Sequence, residues 1–92
     1  MIKVWYPEAW ADNVAWQSTD KKIVKKIHQM IKDIDRNGAR EGIGKPEALK
    51  NNLLGWYSRR IITEHRLVYR VDVKNGEMYL HIISCRTHYE LD

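Results

Sequence analysis

The feature that most constrains the fold is a pair of strand-like segments joined by an Asn-Gly turn. The segments "HRLVYRVDV" (65–73) and "MYLHIISC" (78–85) are rich in β-branched and aromatic residues, which is typical of strands. Between them lies "KNGE", and Asn-Gly is the pair that best forms a two-residue hairpin turn. A third such segment, "WYSRRII" (56–62), precedes them across a bend at "TE". Tight connections join antiparallel neighbours, so this region predicts a three-stranded antiparallel sheet.

A long amphipathic helix is predicted before this sheet. Ser18, Thr19 and Asp20 offer N-cap oxygens, and Gly38 marks the end of the helix. Apolar residues recur between these limits at steps of three and four, which is the helical period. They are Ile23, Val24, Ile27, Met30, Ile31 and Ile34. The opposite face carries Lys21, Lys22, Lys25, Lys26 and Lys32, either as an ordinary solvated face or as a phosphate-binding ridge.

The N-terminal region adds a strand and another helix. "IKVWY" (2–6) alternates as a strand does, and Pro7 suits the first turn of a helix over "PEAWADNVAWQ" (7–17). We expect Trp10, Val14 and Trp16 on its apolar side. Residues 37–55 contain four of the five glycines and predict a loop with a helical turn in "PEALKNN", begun by Pro46. The order β-α-α-β-β-β predicts an α+β, two-layer fold, with two N-terminal helices packed on a mainly antiparallel sheet.

Length and composition narrow the possible functions. The 92 residues predict a single domain spanning 1–92. Lysine and arginine number 16 against 12 acidic residues, and the net charge of +4 favours a polyanionic partner such as RNA or DNA. Cys85 is the single cysteine, which excludes an intrachain disulfide and favours the reducing cytoplasm. We find neither an apolar run long enough to span a membrane nor a signal-peptide core.

One set of side chains is suited to cutting RNA without a metal. That reaction needs a base for the 2′-hydroxyl, an acid for the leaving 5′-oxygen, and cations against the charge on the phosphorane. Some candidates lie in the Gly-rich loop, others on adjacent strands of the predicted hairpin, and others after the final strand. In chain order they are Lys45, Glu47, Arg60, Arg66, His88 and Tyr89.

Each candidate also has a structural interpretation. Glu47 follows Pro46 and could simply complement a helix N-terminus. The two arginines could pair with Glu64 at the surface. The terminal histidine could be a surface residue and the terminal tyrosine a packing residue.

Metal and thiol chemistry are less well supported. Cys85 and His88 have ligand-like spacing, but a zinc site needs three or four ligands. His65 and His81 lie on predicted strands without an obvious carboxylate companion. Cys85 ends an apolar strand and is expected to be a small buried residue. There is no phosphate-binding P-loop and no serine elbow, so we expect no metal and no cofactor.

Four segments together resemble one known family. "TDKKIVKKIHQMIKD", "GKPEALKNNLLGWYSRRI", "EHRLVY" and "CRTHY" are similar to the YoeB/Txe toxins of type II toxin–antitoxin systems, in the RelE-like superfamily. The resemblance runs from Val4 to Tyr89. It implies a RelE-like fold and a ribosome-dependent mRNA endonuclease. Such toxins enter the ribosomal A site, cut the exposed codon and block translation.

The resemblance also assigns roles to residues of this chain. It implies that Glu47 is the general base, that Arg66 contacts the phosphate, and that His88 is the general acid. Tyr89 would orient the phosphate or stack on a base. Supporting or RNA-binding roles are expected for Lys45, Arg60, Glu64 and Arg86. The chain departs from the family in the "ELD" that follows the His-Tyr pair and in a longer hairpin.

Partners follow from the same resemblance. They are a YefM-like antitoxin with a C-terminal segment that folds onto the toxin, the bacterial 70S ribosome with its mRNA, and a second copy of the chain. Trp5, Trp10 and Trp16 could serve such surfaces or pack in the core. Two other classes remain open, a ParE-like inhibitor of gyrase and a basic RNA-binding module without catalysis.

Overall fold

The computed structural model describes residues 1–86. Two helices pack on one face of a five-stranded sheet, which confirms the predicted two-layer α+β architecture. The elements are β1 Ile2–Trp5, α1 Pro7–Thr19, α2 Lys21–Asn37, β2 Glu47–Ala48, a short 3-10 helix Asn51–Leu53, β3 Tyr57–Ile62, β4 His65–Lys74 and β5 Glu77–Ser84.

The strand order in the sheet is β1-β5-β4-β3-β2. β1 runs parallel to β5, and every other neighbouring pair is antiparallel. The predicted Asn-Gly turn is present, because Asn75 and Gly76 have φ angles of 52° and 77° and the flanking residues Lys74 and Glu77 are paired. This turn sets the register of the β4–β5 hairpin.

Helix α2 matches its prediction closely. The Asp20 side chain caps it by accepting hydrogen bonds from the amides of Lys22, at 3.0 Å, and Ile23, at 3.4 Å. Gly38, with φ of 83°, ends it. The apolar stripe is buried against the sheet, and Val24 lies at its margin. The buried members are Ile23, Ile27, Met30, Ile31 and Ile34.

Helix α1 presents a different side to the core from the one predicted. Ala9, Asn13 and Trp16 are buried, whereas Trp10 is 51% exposed and Val14 46% exposed. The prediction was therefore wrong for Trp10 and Val14. The indole of Trp16 explains which side of the helix faces the sheet, since it enters the core and donates a hydrogen bond of 2.8 Å to the Cys85 carbonyl. Ala9 lacks a bulky side chain and lets the helix lie close to the sheet.

The segment after Pro46 is a strand where a helical turn was predicted. Glu47 and Ala48 pair with Ser58 and Tyr57 of β3, and the helical turn comes later, over Asn51–Leu53. Pairing with the free edge of β3 outweighs the local helical preference of the segment, because strand formation depends on neighbours more than on propensity.

The two faces of the sheet have different environments. Leu67, Tyr69, Leu80 and Ile82 point toward the helices and are fully buried. The alternate residues point to the opposite side, which we call the open face. Within residues 1–86, no helix is long and apolar enough to cross a membrane.

Candidate active site

Three of the predicted site residues lie on the open face. Glu47 is in register with Ser58, and Arg60 is in register with Arg66. Residues directly opposite each other in a sheet share a face, as do residues two apart in one strand. Glu47, Arg60 and Arg66 therefore project to the same side, across β2, β3 and β4. Glu47 and Arg60 are exposed, and Arg66 is partly exposed.

Ser58 lies at the centre of this group and was missed by the sequence analysis. Its side chain is only 2% exposed, and its hydroxyl accepts a long hydrogen bond of 3.4 Å from Nη1 of Arg66. On its other side it faces the backbone of Glu47. Its position two residues before Arg60 was the available signal, because strand alternation puts both residues on one face.

The Gly-rich loop that leads to Glu47 is held against β3 by close backbone contact. The Gly44 carbonyl accepts a hydrogen bond of 2.7 Å from the Arg60 amide, and Gly44 has φ of 80°. A Cβ atom at Gly44 would lie 2.7 Å from the terminal methyl of Met30. Lys45 continues the turn with φ of 53° and is exposed. Glycine is thus required at position 44 for the loop to pack between α2 and β3.

Arg59 holds the same loop from the other side of the sheet. This arginine is fully buried and lies directly before Arg60 in β3. Its Nη1 donates to a carboxylate oxygen of Asp33 at 2.5 Å and to the Ile43 carbonyl at 3.1 Å. Its Nη2 donates to the carbonyls of Gly38, at 2.9 Å, and Glu41, at 2.7 Å. Three of these four bonds go to carbonyls of residues 38–43 and fix the path of the chain that leads to Glu47.

Two further groups complete this buried network. Nε of Arg59 donates to the Tyr69 hydroxyl at 2.9 Å, and that hydroxyl donates to the Ala39 carbonyl at 2.6 Å. Burial raises the pKa of Tyr69. The hydrogen bond from Arg59 lowers the pKa of Asp33, so its carboxylate stays charged beside the guanidinium. Gly42 is packed against this pair, because a Cβ there would lie 1.7 Å from a carboxylate oxygen of Asp33.

The remaining predicted residues are more dispersed. Glu64 is exposed in the turn between β3 and β4. Arg86 is exposed, and its guanidinium lies 5.5 Å from the centre of the Trp16 ring, on α1. The predicted residues His88 and Tyr89 lie outside the described residues.

Cys85 is a buried anchor of the last strand. Its amide donates to a carboxylate oxygen of Asp12 at 3.1 Å, and its carbonyl accepts from Trp16. Burial raises the pKa of the thiol to about 12, so it is protonated at neutral pH. The prediction of a buried structural cysteine is confirmed.

His81 does have a carboxylate companion, contrary to the sequence analysis. Its Nε2 lies 3.2 Å from the Asp72 carboxylate, which is itself 3.4 Å from Nη2 of Arg70. The Asn-Gly turn gave the missing signal, since its register sets Asp72 opposite Tyr79 and Arg70 opposite His81. Across residues 1–86 there is no group of three or more His, Cys, Asp or Glu side chains that could hold a metal ion.

The chemistry available at this surface is that of a carboxylate beside two guanidiniums. Guanidinium groups bind phosphate through paired hydrogen bonds, and a nearby carboxylate can accept a proton. The arrangement therefore suits a ligand that carries both a phosphodiester and a hydroxyl group.

Comparison with known proteins shows the family. Residues 5–89 match the model of the YoeB-like toxin of bacterial type II toxin–antitoxin systems. Toxin YoeB of Escherichia coli K12 is 54% identical over 89 residues, which cover 97% of this chain and all of the relative.

Solved structures agree in sequence and in fold. The YoeB dimer from Staphylococcus aureus is 54% identical with a TM-score of 0.87, over 97% of this chain and 98% of that one. A heterotetrameric YoeB–YefM toxin–antitoxin complex from the same organism gives 54% identity and a TM-score of 0.86, with the same coverage. The RelE-like fold implied by the resemblance is thereby confirmed. The chain belongs to the YoeB-like toxins of bacterial type II toxin–antitoxin systems.

Proposed function

We propose that the protein is a ribosome-dependent mRNA endonuclease that cuts the codon in the A site and so inhibits translation. The observation that carries the proposal is the placement of Glu47, Arg60 and Arg66 on one accessible sheet face. These are the residue types that metal-independent cleavage of RNA requires. The family to which the chain belongs supports the same assignment.

The proposed reaction is attack by the 2′-hydroxyl on the adjacent phosphate. The Glu47 carboxylate removes the hydroxyl proton, and the oxygen forms a bond to phosphorus. Arg66, with Arg60 beside it, stabilises the additional negative charge on the phosphorane. His88 gives a proton to the departing 5′-oxygen as its bond to phosphorus breaks, which leaves a 2′,3′-cyclic phosphate and a 5′-hydroxyl. Tyr89 orients the phosphate or stacks on a base.

The length of chain after β5 is compatible with the roles proposed for His88 and Tyr89. Ser84 is in register with Val68, only two residues from Arg66 in β4. His88 follows Cys85 by three positions in the chain, so covalent geometry limits the distance between their Cα atoms to at most about 11 Å. The described end of β5 therefore lies near Arg66 in the sheet, and we propose that His88 acts from this side of the site. Lys45, Glu64 and Arg86 are proposed to support RNA binding around this centre.

We propose partners on the same basis. The relatives from Staphylococcus aureus form a dimer and a complex with YefM, and a second copy of this chain and a YefM-like antitoxin are the corresponding partners here. Trp10 is exposed and available to such a surface, whereas Trp16 is committed to the core. The net charge of +4 favours approach to ribosomal RNA, and we propose that the protein acts in the cytoplasm, where its proposed substrate is. We treat residues 1–92 as one toxin domain.

The decisive experiment is single-turnover cleavage of a short mRNA on a programmed 70S ribosome, with the cut mapped by primer extension. We expect wild type to cut within the A-site codon. Glu47→Ala, Arg66→Ala and His88→Ala should each lower the rate at least about tenfold, because acid–base groups and charge contacts typically contribute 10²-fold or more.

Two exposed residues provide matched controls. Glu77→Ala and Arg36→Ala remove the same charges at the β4–β5 turn and at the end of α2, and both should cleave at the wild-type rate. Wild-type rates in all three folded site variants would remove the assignment of Glu47, Arg66 and His88. The absence of any cut by folded wild type would instead leave a binding module or an inhibitor of another target, such as gyrase.

A further inference from the structure

A cavity lies on the open face, on the same strand as Arg66 of the proposed active site. It has a volume of about 390 Å³ and is lined by Val4, Arg70, Asp72, Lys74, Tyr79 and His81. We call it the Arg70 cavity. Its residues come from β1, β4 and β5, and the proposed cleavage mechanism uses none of them.

Arg70 is held in position with hydrogen-bonding capacity to spare. Its guanidinium lies 5.0 Å from the centre of the Trp56 ring, and Nη2 is 3.4 Å from the Asp72 carboxylate, a long contact. Its buried Nε has no hydrogen-bond partner among residues 1–86. A guanidinium that is stacked on an indole and only weakly paired can still donate to a phosphate.

The aromatic side of the cavity is fixed as well. The Tyr6 hydroxyl lies 3.4 Å from Nδ1 of His81, and Asp72 lies 3.2 Å from Nε2, so both ring nitrogens have a partner. The Tyr79 ring is 6.3 Å from the His81 ring at an angle of 32°. Aromatic rings at alternating positions on an accessible sheet face are the surface on which RNA-binding domains stack unpaired bases.

The Arg70 cavity and the proposed active site lie on the same face of β4, with the fully buried Val68 between Arg66 and Arg70. Arg66 and Arg70 are four residues apart in β4 and therefore share the open face, about 13 Å apart along the strand. Lys74 follows after another four residues. Asp72 opposes this row of cations, but its carboxylate is already engaged by Arg70 and His81. The charged residues that line the cavity are two cations, Arg70 and Lys74, and one carboxylate, Asp72, beside aromatic rings, and Glu77 is in register with Lys74.

We propose that the Arg70 cavity is a second RNA subsite, which binds a nucleotide flanking the one that is cleaved. Arg70 and Lys74 bind its phosphate, and its base packs against Tyr79 and His81. This inference rests on the proposed function in taking RNA as the substrate. Rings interleaved with cations distinguish the surface from a purely basic patch, which would suit any acidic segment.

The test is the binding of a labelled single-stranded 2′-O-methyl RNA, followed by fluorescence anisotropy over a series of salt concentrations. This probe has no free 2′-hydroxyl, so the proposed reaction cannot consume it. Arg70→Ala should weaken binding and lower the slope of log K against log salt by about 0.7, the value for one lost phosphate contact on a single strand. Tyr79→Ala should weaken binding at least about fivefold with an unchanged slope, because it removes stacking and no charge.

Conservative variants separate the subsite from loss of folding. Arg70→Lys should keep the wild-type slope and Tyr79→Phe the wild-type affinity, with folding verified by circular dichroism. Arg36→Ala is the charge-matched control on α2 and should change neither quantity. Wild-type affinity and slope in both Arg70→Ala and Tyr79→Ala would overturn the subsite, as would failure of wild type to bind the probe.

A competing occupant would give a different result. An acidic peptide that displaces the RNA and binds with dependence on Arg70 but not on Tyr79 would assign the cavity to a protein segment and overturn the RNA subsite. Cleavage on the ribosome is measured separately. Arg70-dependent binding of RNA without any cleavage would contradict the nuclease proposal and leave the subsite standing.

Discussion

Arg59 and Arg60 are consecutive residues of one strand with opposite environments. Arg59 points toward the helices, is fully buried and bonds Asp33, Tyr69 and three backbone carbonyls. Arg60 points to the open face and is exposed beside Arg66. The period of two in a β-strand makes one arginine a part of the scaffold and leaves the other available to a ligand.

The two arginines show how the protein fixes the loop that leads to Glu47 through contacts within the chain itself. On the side of the sheet that faces the helices, Arg59 fixes residues 38–43 by hydrogen bonds. The chain then continues to Glu47, whose side chain lies on the open face. Charge on the buried side is fully paired, whereas charge on the open side remains available to a phosphate. Stability and activity should therefore respond separately to changes at the two positions.

The largest expected effect is on the buried side. Arg59→Ala should lower the free energy of unfolding by about 3–5 kcal/mol, because it leaves the Asp33 carboxylate and several carbonyls without their donor. Urea unfolding followed by circular dichroism measures this change. Arg36→Ala, an exposed arginine, is the matched control. An Arg59→Ala midpoint close to that of wild type would show that the loop does not depend on this guanidinium.

The pH dependence of stability should expose the same network. The carboxyl of Asp33 has a pKa below its ordinary value of 3.8, chiefly because of the hydrogen bond from Arg59. The unfolded chain binds more protons than the folded one in this range, so the contribution of Asp33 is present above about pH 5 and is lost progressively as the pH falls below 3.8 toward the lower pKa of the folded state. Urea midpoints between pH 3 and pH 7 should fall on acidification.

Two aspartate variants sharpen that measurement. Asp33→Asn should reduce the fall of the urea midpoint at acidic pH and lower the free energy of unfolding at neutral pH. Asp35→Asn is the comparison variant. The pKa of Asp35 is also lowered, chiefly by a hydrogen bond from Lys3, but this pair lies at the surface. If Asp33→Asn leaves the fall of the urea midpoint at acidic pH unchanged, another group causes the pH dependence of stability.

The smallest expected change in stability is on the open face. Arg60→Ala should alter the free energy of unfolding by less than about 0.5 kcal/mol, because the side chain is exposed and its amide keeps the bond to Gly44. Cleavage on the ribosome should nevertheless fall, although less than with Arg66→Ala. Arg60→Ala that unfolds as readily as Arg59→Ala would erase the distinction between the two arginines.

The sequence predicts best where local and tertiary preferences agree. Helix α2 has a cap, a clean apolar period and a terminal glycine, and the Asn75-Gly76 turn determines both the hairpin and its register. The predicted antiparallel pairing of β3 with β4 puts Arg60 and Arg66 on one face, whereas the placement of Glu47 depends on strand β2, which was not predicted. The catalytic roles of these residues come from the family resemblance, because residue type and spacing alone fit surface ion pairs as well.

The sequence predicts less well where distant contacts decide. The side of α1 that enters the core depends on a bond from Trp16 to Cys85, which is 69 residues away. Strand β2 exists because the edge of β3 is free to pair with it. Arg59 could not be told from Arg60 by residue type, since only the packing of α2 against β3 decides which of them is buried.

The connectivity of the sheet has a consequence for the synthesis of this toxin. Within residues 1–86, β1 pairs with β5 alone, so the first strand made has no partner there until residues 77–84 have left the ribosome. A nascent chain that lacks them also lacks the strand that joins β1 to the rest of the sheet. Closing so long a loop raises the contact order and slows folding. Completion of the sheet is thereby tied to the synthesis of residues 77–84, and a translation product that stops before them would lack the strand that holds β1.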